Sequence, residues 1–134
     1  MAEFMFATGI ECSYPTIDGG RWRIDQLRET KHYKNWKRDL ELVRDLGLHY
    51  LRYGPPLHLI FQAPGKYDWT FMDQVCETMQ PLQIIPIMDL CHFGVPDWLE
   101  NFQNRELPGN SCSISYLWFA IRFAVPFDSS FVAE

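Results

Sequence analysis

"HYKNWKRDLELVRDLGLHYLRYG", residues 32–54, joins a helical pattern to a strand pattern through a single glycine. Apolar residues in its first half recur at the i, i+4 and i+7 positions of an amphipathic helix. The stripe consists of Trp36, Leu40, Leu42, Val43 and Leu46. Gly47 follows at the place of a C-terminal cap, so we predict a helix over residues 32–46. The β-prone residues 48–54, stopped by Pro55, predict a strand directly after it.

The same two patterns recur on either side of this segment. Residues 4–10, "FMFATGI", and residues 82–90, "LQIIPIMDL", are short apolar runs that predict strands. Residues 70–80 predict a second helix, which Pro81 ends. Its expected apolar stripe is Phe71, Val75 and Met79, and its expected N-cap is Asp68 or Thr70. The polar and basic residues 19–36 are predicted to be a loop that leads into the first helix.

The order of these elements predicts the fold class. Strand, helix, strand, helix, strand is the order of parallel β-α-β units. The strands are nearly continuous apolar runs, which indicates a sheet that is buried on both faces. We therefore predict an α/β fold. Pro86 conflicts mildly with the third strand, because proline lacks the N–H group that a ladder needs.

Composition limits the classes of function. The 134 residues fit one domain, and 47% of them are hydrophobic. The net charge of -5 argues against nucleic acid or an anionic membrane as the main partner. "MAEFMFATGIECSYP" lacks the basic and apolar regions of a secretory signal, so we expect a cytoplasmic protein. Cys12, Cys76, Cys91 and Cys112 are widely spaced, so we expect reduced thiols rather than a disulfide framework.

Polar side chains are expected to gather where the three strands end, because the loops of parallel α/β folds converge at the carboxyl ends. Glu11 ends the first strand and Arg52 lies late in the second. Asp89 and His92 close the third. A carboxylate, a guanidinium and an imidazole on one rim would form a polar cup. Its expected flat apolar walls are Tyr14, Tyr53, Phe93 and Trp98.

Each of these candidates also has a purely structural interpretation. Glu11 could be a solvated acid at a strand end, and Arg52 could pair with a neighbouring carboxylate. Asp89 could cap the turn that follows it, and His92 could be a structural histidine. The pattern of residues alone leaves both interpretations open.

No metal or nucleotide site is predicted. His32, His49 and His58 are scattered along the chain, and the adjacent pair Cys91 and His92 does not have a zinc-binding spacing. Cys91 also lacks the supporting third residue that a cysteine nucleophile needs. The phosphate-binding motifs G-x-G-x-x-G and G-x-x-x-x-G-K-[ST] do not occur, which argues against nucleotide binding of those types.

Four segments carry a family resemblance. They are "FMFATGIECSYP" (4–15), "HYKNWKRDLELVRDLGLHYLRYGPP" (32–56), "PGKYDWTFMD" (64–73) and "IIPIMDLCHFGVPDWL" (84–99). In order and spacing they resemble the N-terminal part of glycoside hydrolase family 1, the β-glucosidase-like family. The family pattern in the last segment is Leu-x-His-Trp-Asp-x-Pro-x-Trp-Leu, which this chain matches at Leu90, His92, Pro96, Trp98 and Leu99. The chain departs from that pattern at Phe93 and Gly94, where the family has Trp and Asp.

The resemblance implies a fold and an activity. The family fold is the (β/α)₈ TIM barrel, and residues 1–108 would form about its first three β/α units. The implied activity is retaining hydrolysis of O-glycosyl bonds in a small-molecule glycoside, with no cofactor and no metal. By position, His92 matches a histidine that binds sugar hydroxyls, and Arg52 matches the arginine that orients and charges the nucleophile carboxylate. Glu11 lies near a glutamine that also binds the sugar.

The family's two catalytic carboxylates have no counterpart in the sequence. A retaining glycosidase needs two carboxyl groups about 5 to 5.5 Å apart, and this family places them after strands four and seven. No Asn-Glu pair follows Pro108, and a whole barrel needs about 250 residues. We therefore predict a truncated glycosidase that is inactive alone, with residues 109–134 as a divergent tail. Two alternatives stay open: a non-catalytic carbohydrate-binding fragment that complements the remainder of a barrel, and a fragment without function.

Overall fold

A computed structural model describes residues 4–89 and 93–100 of the chain. In chain order the elements are β1 (Ala7–Ile10), β2 (Thr16–Ile17), β3 (Trp22–Arg23), α1 (Gln26–Glu29), α2 (His32–Asp45), β4 (Tyr50–Tyr53), α3 (Leu57–Ile60), β5 (Phe61–Ala63), β6 (Lys66–Tyr67), α4 (Thr70–Met79) and β7 (Ile85–Met88). The predicted α/β class is confirmed. The boundary expected at residue 108 and the tail over residues 109–134 lie outside the described residues.

β1, β4 and β7 form a parallel sheet in that order. Gly9 pairs with Arg52, which in turn pairs with Ile87. α2 connects β1 to β4, and α4 connects β4 to β7, as the alternation of patterns predicts. Each observed strand lies inside its predicted run and is shorter, because apolar character continues beyond the residues that pair in the ladder.

The helices α2 and α4 cover one face of the sheet. Leu51 and Tyr53 of β4 point to this face and are fully buried. They pack with residues of both helices, namely Trp36, Leu40, Val43, Met72, Val75 and Met79. On the opposite face Gly9, Arg52 and Ile87 are exposed. The prediction of a sheet buried on both faces is therefore wrong for the part of the chain that the structure describes, since runs of apolar residues do not report which face is covered.

Pro86 fits β7 because of where that strand lies. β7 is an outer strand of the sheet in the described residues. The N–H groups of Ile85 and Asp89 donate to carbonyl groups on the side of β4, over 2.7 and 2.9 Å. Main-chain groups alternate along a strand, so the nitrogen of Pro86 points away from β4 and no ladder bond is lost.

Four details of the helical segments differ from the predictions. Leu42 and Leu46 are exposed, by 45% and 71%, so they do not belong to the buried stripe of α2. α4 buries Met72, whereas Phe71 is only partly buried. The region predicted as a loop, residues 19–36, also contains β3, which forms a hairpin with the preceding β2, and the single turn α1. The expected N-cap of α4 is wrong, because Trp69 occupies that position without a side-chain cap. Asp68, directly before it, accepts the N–H of Thr70 over 3.0 Å.

A second apolar cluster lies in the segments that follow β4 and β7. Phe61, Val95 and Leu99 form it, and Trp98 packs against it. The Trp98 ring meets the Phe61 ring edge to face, and its Nε1–H donates to the Phe61 carbonyl over 3.0 Å. Among the described residues, no helix is long and apolar enough to cross a membrane.

Candidate functional site

Arg52 forms ion pairs with two carboxylates at the carboxyl ends of the strands. Its Nη1 lies 2.7 Å from Glu11 Oε1, and its Nη2 lies 2.5 Å from Asp89 Oδ2. Arg52 is the most exposed of the three side chains and Asp89 the least. The sequence-based expectation that these residues lie together is met. Side chains along a strand alternate between the two faces of the sheet, and all three of these side chains belong to the face that α2 and α4 do not cover.

Gly54 allows the strands to approach closely beside this rim. A Cβ atom on Gly54 would lie 2.9 Å from the Cys12 nitrogen and 3.1 Å from the Glu11 Cα. Both atoms belong to the backbone, which cannot move aside without disturbing the ladder. The Gly54 N–H also donates to the Ile10 carbonyl over 2.8 Å, which continues the ladder to the level of Glu11.

For two of the four aromatic residues expected as walls of the polar cup, the prediction is wrong. Tyr53 is fully buried on the helical face, because it directly follows Arg52 and neighbouring residues of a strand point to opposite faces. Trp98 packs into the cluster around Phe61 and is a structural residue. Phe93 is exposed, and its carbonyl accepts the Tyr14 N–H over 3.0 Å. His92, the expected imidazole of the rim, lies outside the described residues.

A second polar cluster centres on the buried carboxylate of Asp25. This residue is the N-cap of α1, and its Oδ1 accepts the N–H of Arg28 over 3.1 Å. Its Oδ2 accepts the hydroxyl of Tyr33 over 2.9 Å and lies 3.0 Å from His58 Nε2. Because a carboxylate only accepts, His58 Nε2 carries the hydrogen. One side chain thus joins α1, α2 and the segment after β4.

The segments that follow the three strands are joined at this end of the sheet. The His58 ring stacks on the Tyr14 ring, with centroids 3.9 Å apart and planes 5° from parallel. The Arg23 guanidinium lies 5.1 Å from the centre of the Tyr14 ring. Arg23 Nη1 donates to the Val95 carbonyl over 3.3 Å, and its Nε lies 3.0 Å from Asp97 Oδ1. These contacts hold the loops around the rim in one arrangement.

A third group of polar side chains lies on the face of the sheet that the helices cover. His32 is buried at the start of α2, and its Nδ1 lies 2.7 Å from Asp39 Oδ2. Its Nε2 lies 3.0 Å from the hydroxyl of Tyr53. The two polar ends of a buried tyrosine and a buried histidine therefore satisfy each other, and this group is structural.

The described thiols are poor nucleophiles. Burial and, to a smaller extent, the charge of Asp25 raise the pKa of Cys12 to about 12. Burial likewise raises the pKa of Cys76 to about 12. Both thiols are free and protonated near neutral pH, so they are inert. In residues 4–89 and 93–100, no group of three or more His, Cys, Asp or Glu is arranged to hold a metal ion.

His58 gives the stability of the fold a dependence on pH. Burial lowers the pKa of His58 below 6.5, and this effect exceeds the opposing attraction of Asp25 and Asp97, while Arg28 adds to it. The unfolded chain then binds a proton at a higher pH than the folded chain, so stability falls as the pH drops below about 6.5. We expect the free energy of unfolding to decrease from about pH 7.5 to about pH 5.5 in urea titrations.

His58→Gln should have a shallower decrease over the same range than the unaltered chain. The control is His49→Gln, which removes an exposed histidine and should keep the original slope. Equal slopes for the unaltered chain and His58→Gln would contradict the assignment of this effect to His58.

The sequence pattern misses both buried histidine groups. His32 and Asp39 are seven residues apart on one helix, which places them on the same face, so their spacing is a signal that could be used. Asp25 and His58 are 33 residues apart in separate elements, and no local pattern relates them.

The fold and the rim define an α/β protein with a polar site at the carboxyl ends of a parallel sheet. No protein-family profile matches the sequence. The bifunctional β-D-glucosidase/β-D-fucosidase of Bifidobacterium breve is 28% identical to it over 78 residues. That match covers 55% of this chain and 17% of the length of the relative. The match points to a distant relationship with a glycosidase.

Proposed function

We propose that the rim of Glu11, Arg52 and Asp89 binds the sugar of a small-molecule O-glycoside. The observation that carries the proposal is the guanidinium held between two carboxylates at the carboxyl edge of three parallel strands. Carboxylates accept hydrogen bonds and guanidinium N–H groups donate them, and a sugar hydroxyl uses both kinds of partner. The glycosidase relationship supports a glycoside as the class of ligand.

We further propose that the described β/α units are the first units of a (β/α)₈ barrel of glycoside hydrolase family 1. The parallel order of the sheet and the position of the rim support this assignment. His92 would then be a further sugar ligand beside Arg52 and Glu11, on the basis of the family resemblance. Other strands of such a barrel would add at the outer sides of β1 and β7, which makes a complementing polypeptide the alternative partner.

The expected activity of this chain is sugar binding without turnover. A retaining glycosidase holds the anomeric carbon between two carboxyl groups. Here the guanidinium of Arg52 contacts both Glu11 and Asp89 and so occupies the position between them. These two carboxylates therefore suit the binding and orientation of a sugar, and hydrolysis of O-glycosyl bonds is proposed only at the level of the family.

Replacing Arg52 should remove sugar binding. We expect Arg52→Ala to weaken binding of methyl β-D-glucoside or methyl β-D-fucoside by at least about tenfold, because a charged hydrogen-bonding partner is lost. Isothermal titration calorimetry on the full chain measures this. Arg52→Lys keeps the charge and loses the forked geometry, so it should weaken binding as well.

The matched control is Arg21→Ala, which removes an exposed arginine paired with Asp18. It should bind both sugars as the unaltered chain does. Thermal unfolding of each variant shows that the fold is kept, and 4-nitrophenyl β-D-glucoside tests for turnover. Equal affinity of Arg52→Ala and Arg21→Ala would contradict the proposed site.

A further inference from the structure

His58 is buried with one ring nitrogen that has no partner in the described part of the chain. It lies in α3, in the segment that follows Arg52 and the end of β4, and its side chain is only 6% exposed. Its Nε2–H donates to Asp25 over 3.0 Å. In residues 4–89 and 93–100, no polar atom lies within hydrogen-bond distance of its Nδ1. The neutral ring therefore fits its surroundings, whereas a protonated ring would hold a second N–H group without an acceptor.

Charged and titratable groups face this ring from the elements packed around it. Burial disfavours a proton on the ring more strongly than Asp25 and Asp97 favour it, and Arg28 repels it as well. The groups that lie against His58 or against its direct partners are Asp25 and Arg28 of α1, Tyr33 of α2, Arg23 of β3, Tyr14 of the segment after β1, and Asp97 of the segment after β7. The pKa of the packed ring therefore lies below that of a histidine in water.

The ring also connects the segments that carry the rim. It stacks on the Tyr14 ring, and Tyr14 lies in the segment that begins at Glu11. The Tyr14 N–H donates to the carbonyl of Phe93, in the segment after β7. A Cβ atom on Gly94 would lie 2.5 Å from the Tyr14 Cβ, so these two segments meet without free space. A displacement of Tyr14 must therefore move the segment after β7 as well.

We propose that His58, Tyr14 and Asp25 form a proton-sensitive latch that fixes the segments around the rim. The neutral ring of His58 keeps the latch closed through its stack on Tyr14 and its hydrogen bond to Asp25. Protonation opens the latch, because the ring then moves into water, where its second N–H group finds an acceptor. This inference rests on the proposed function, and it adds that acid weakens the binding of sugar at the rim.

The direction of the effect follows from proton linkage. In the open latch His58 has the ordinary pKa of 6.5, and in the closed latch its pKa is lower. The open form is therefore favoured increasingly as the pH falls below about 6.5, by up to about tenfold for each pH unit between the two pKa values. Because linkage is reciprocal, a sugar that binds only to the closed form must lower the pKa of His58 further.

Isothermal titration calorimetry of the full chain with methyl β-D-glucoside tests the latch. The dissociation constant should rise by roughly three- to tenfold between about pH 7.5 and about pH 5.5. His58→Gln removes the titrating ring, so its dissociation constant should be nearly equal at the two pH values. His49→Gln is the matched control, since it removes an exposed histidine and should keep the pH dependence of the unaltered chain.

Amide hydrogen exchange at Tyr14 follows the latch without a sugar. After correction for the intrinsic effect of pH on exchange, the protection of this amide should fall by roughly three- to tenfold over the same pH range. In His58→Gln its protection should not depend on pH. Low concentrations of urea should leave the exchange rate unchanged, because a local opening exposes little surface.

Equal affinities at the two pH values in the unaltered chain, or a pH dependence that His58→Gln retains, would overturn the proposal. A pKa of His58 that the sugar leaves unchanged, measured by NMR on its ring resonances, would also overturn it, and this measurement needs no variant. A chain that binds no sugar at either pH contradicts the proposed function, and the exchange of the Tyr14 amide then decides whether the latch exists.

Discussion

The Asp25→Ala variant is expected to lose about 3–5 kcal/mol of unfolding free energy, a large part of the roughly 5–15 kcal/mol that a domain has. The Asp25 carboxylate is buried and accepts from the Arg28 amide and the Tyr33 hydroxyl, and His58 donates to it. Its removal takes this partner from the buried His58 ring and from the half-buried Tyr33 hydroxyl, and it deletes an N-cap worth about 1 kcal/mol. Urea unfolding monitored by circular dichroism measures the loss.

Two variants that each remove one partner of Asp25, and one control, test this loss of stability. Tyr33→Phe and His58→Gln each remove one partner of Asp25 and should each cost less than Asp25→Ala. Asp18→Ala removes an exposed carboxylate paired with Arg21 and should change stability by less than about 0.5 kcal/mol. A loss in Asp25→Ala no larger than that in Asp18→Ala would show that the cluster does not hold these elements together.

The Leu40→Ala variant is expected to lose about 2–5 kcal/mol, because a large side chain is removed from a packed core. Leu40 of α2 is 0% exposed and packs against the sheet and α4. Leu42→Ala, two residues further along the same helix, should lose less than about 1 kcal/mol, since Leu42 is 45% exposed. Urea unfolding monitored by circular dichroism compares the two variants.

The pair of leucines tests the orientation of α2. Both substitutions remove the same atoms from the same helix, so their helix propensities change equally. Similar losses in Leu40→Ala and Leu42→Ala would mean that the helix is rotated relative to the structure described. A loss confined to Leu40→Ala supports the observed burial.

The order of elements and the candidate rim could be predicted from local patterns. The helix of residues 32–46 is strongly periodic and the segment after it is β-prone, and both predictions are confirmed by α2 and β4. Glu11, Arg52 and Asp89 could be placed together because parallel strands end at one edge of a sheet, and the structure brings them into contact. Their role as sugar ligands, with that of His92, stays a prediction.

Residues that depend on distant partners could not be predicted in this way. Asp25 and His58 are brought together by the packing of α1 against the segment after β4, which no local pattern encodes. Leu42 looks like a core residue by its spacing, yet its side chain on α2 is 45% exposed. Tyr53 was expected at the rim, but the alternation that directs Arg52 to the open face directs its neighbour to the helices.

Local patterns in the chain establish the α/β class, the parallel arrangement of the strands and the three residues of the rim, because periodicity and strand ends are local properties. The packing of separate elements establishes which face of the sheet is covered, which leucines of α2 are buried and which carboxylate the buried His58 contacts. These features depend on the relative placement of separate elements, and the free energy of burial that selects this placement is summed over contacts between residues far apart in sequence.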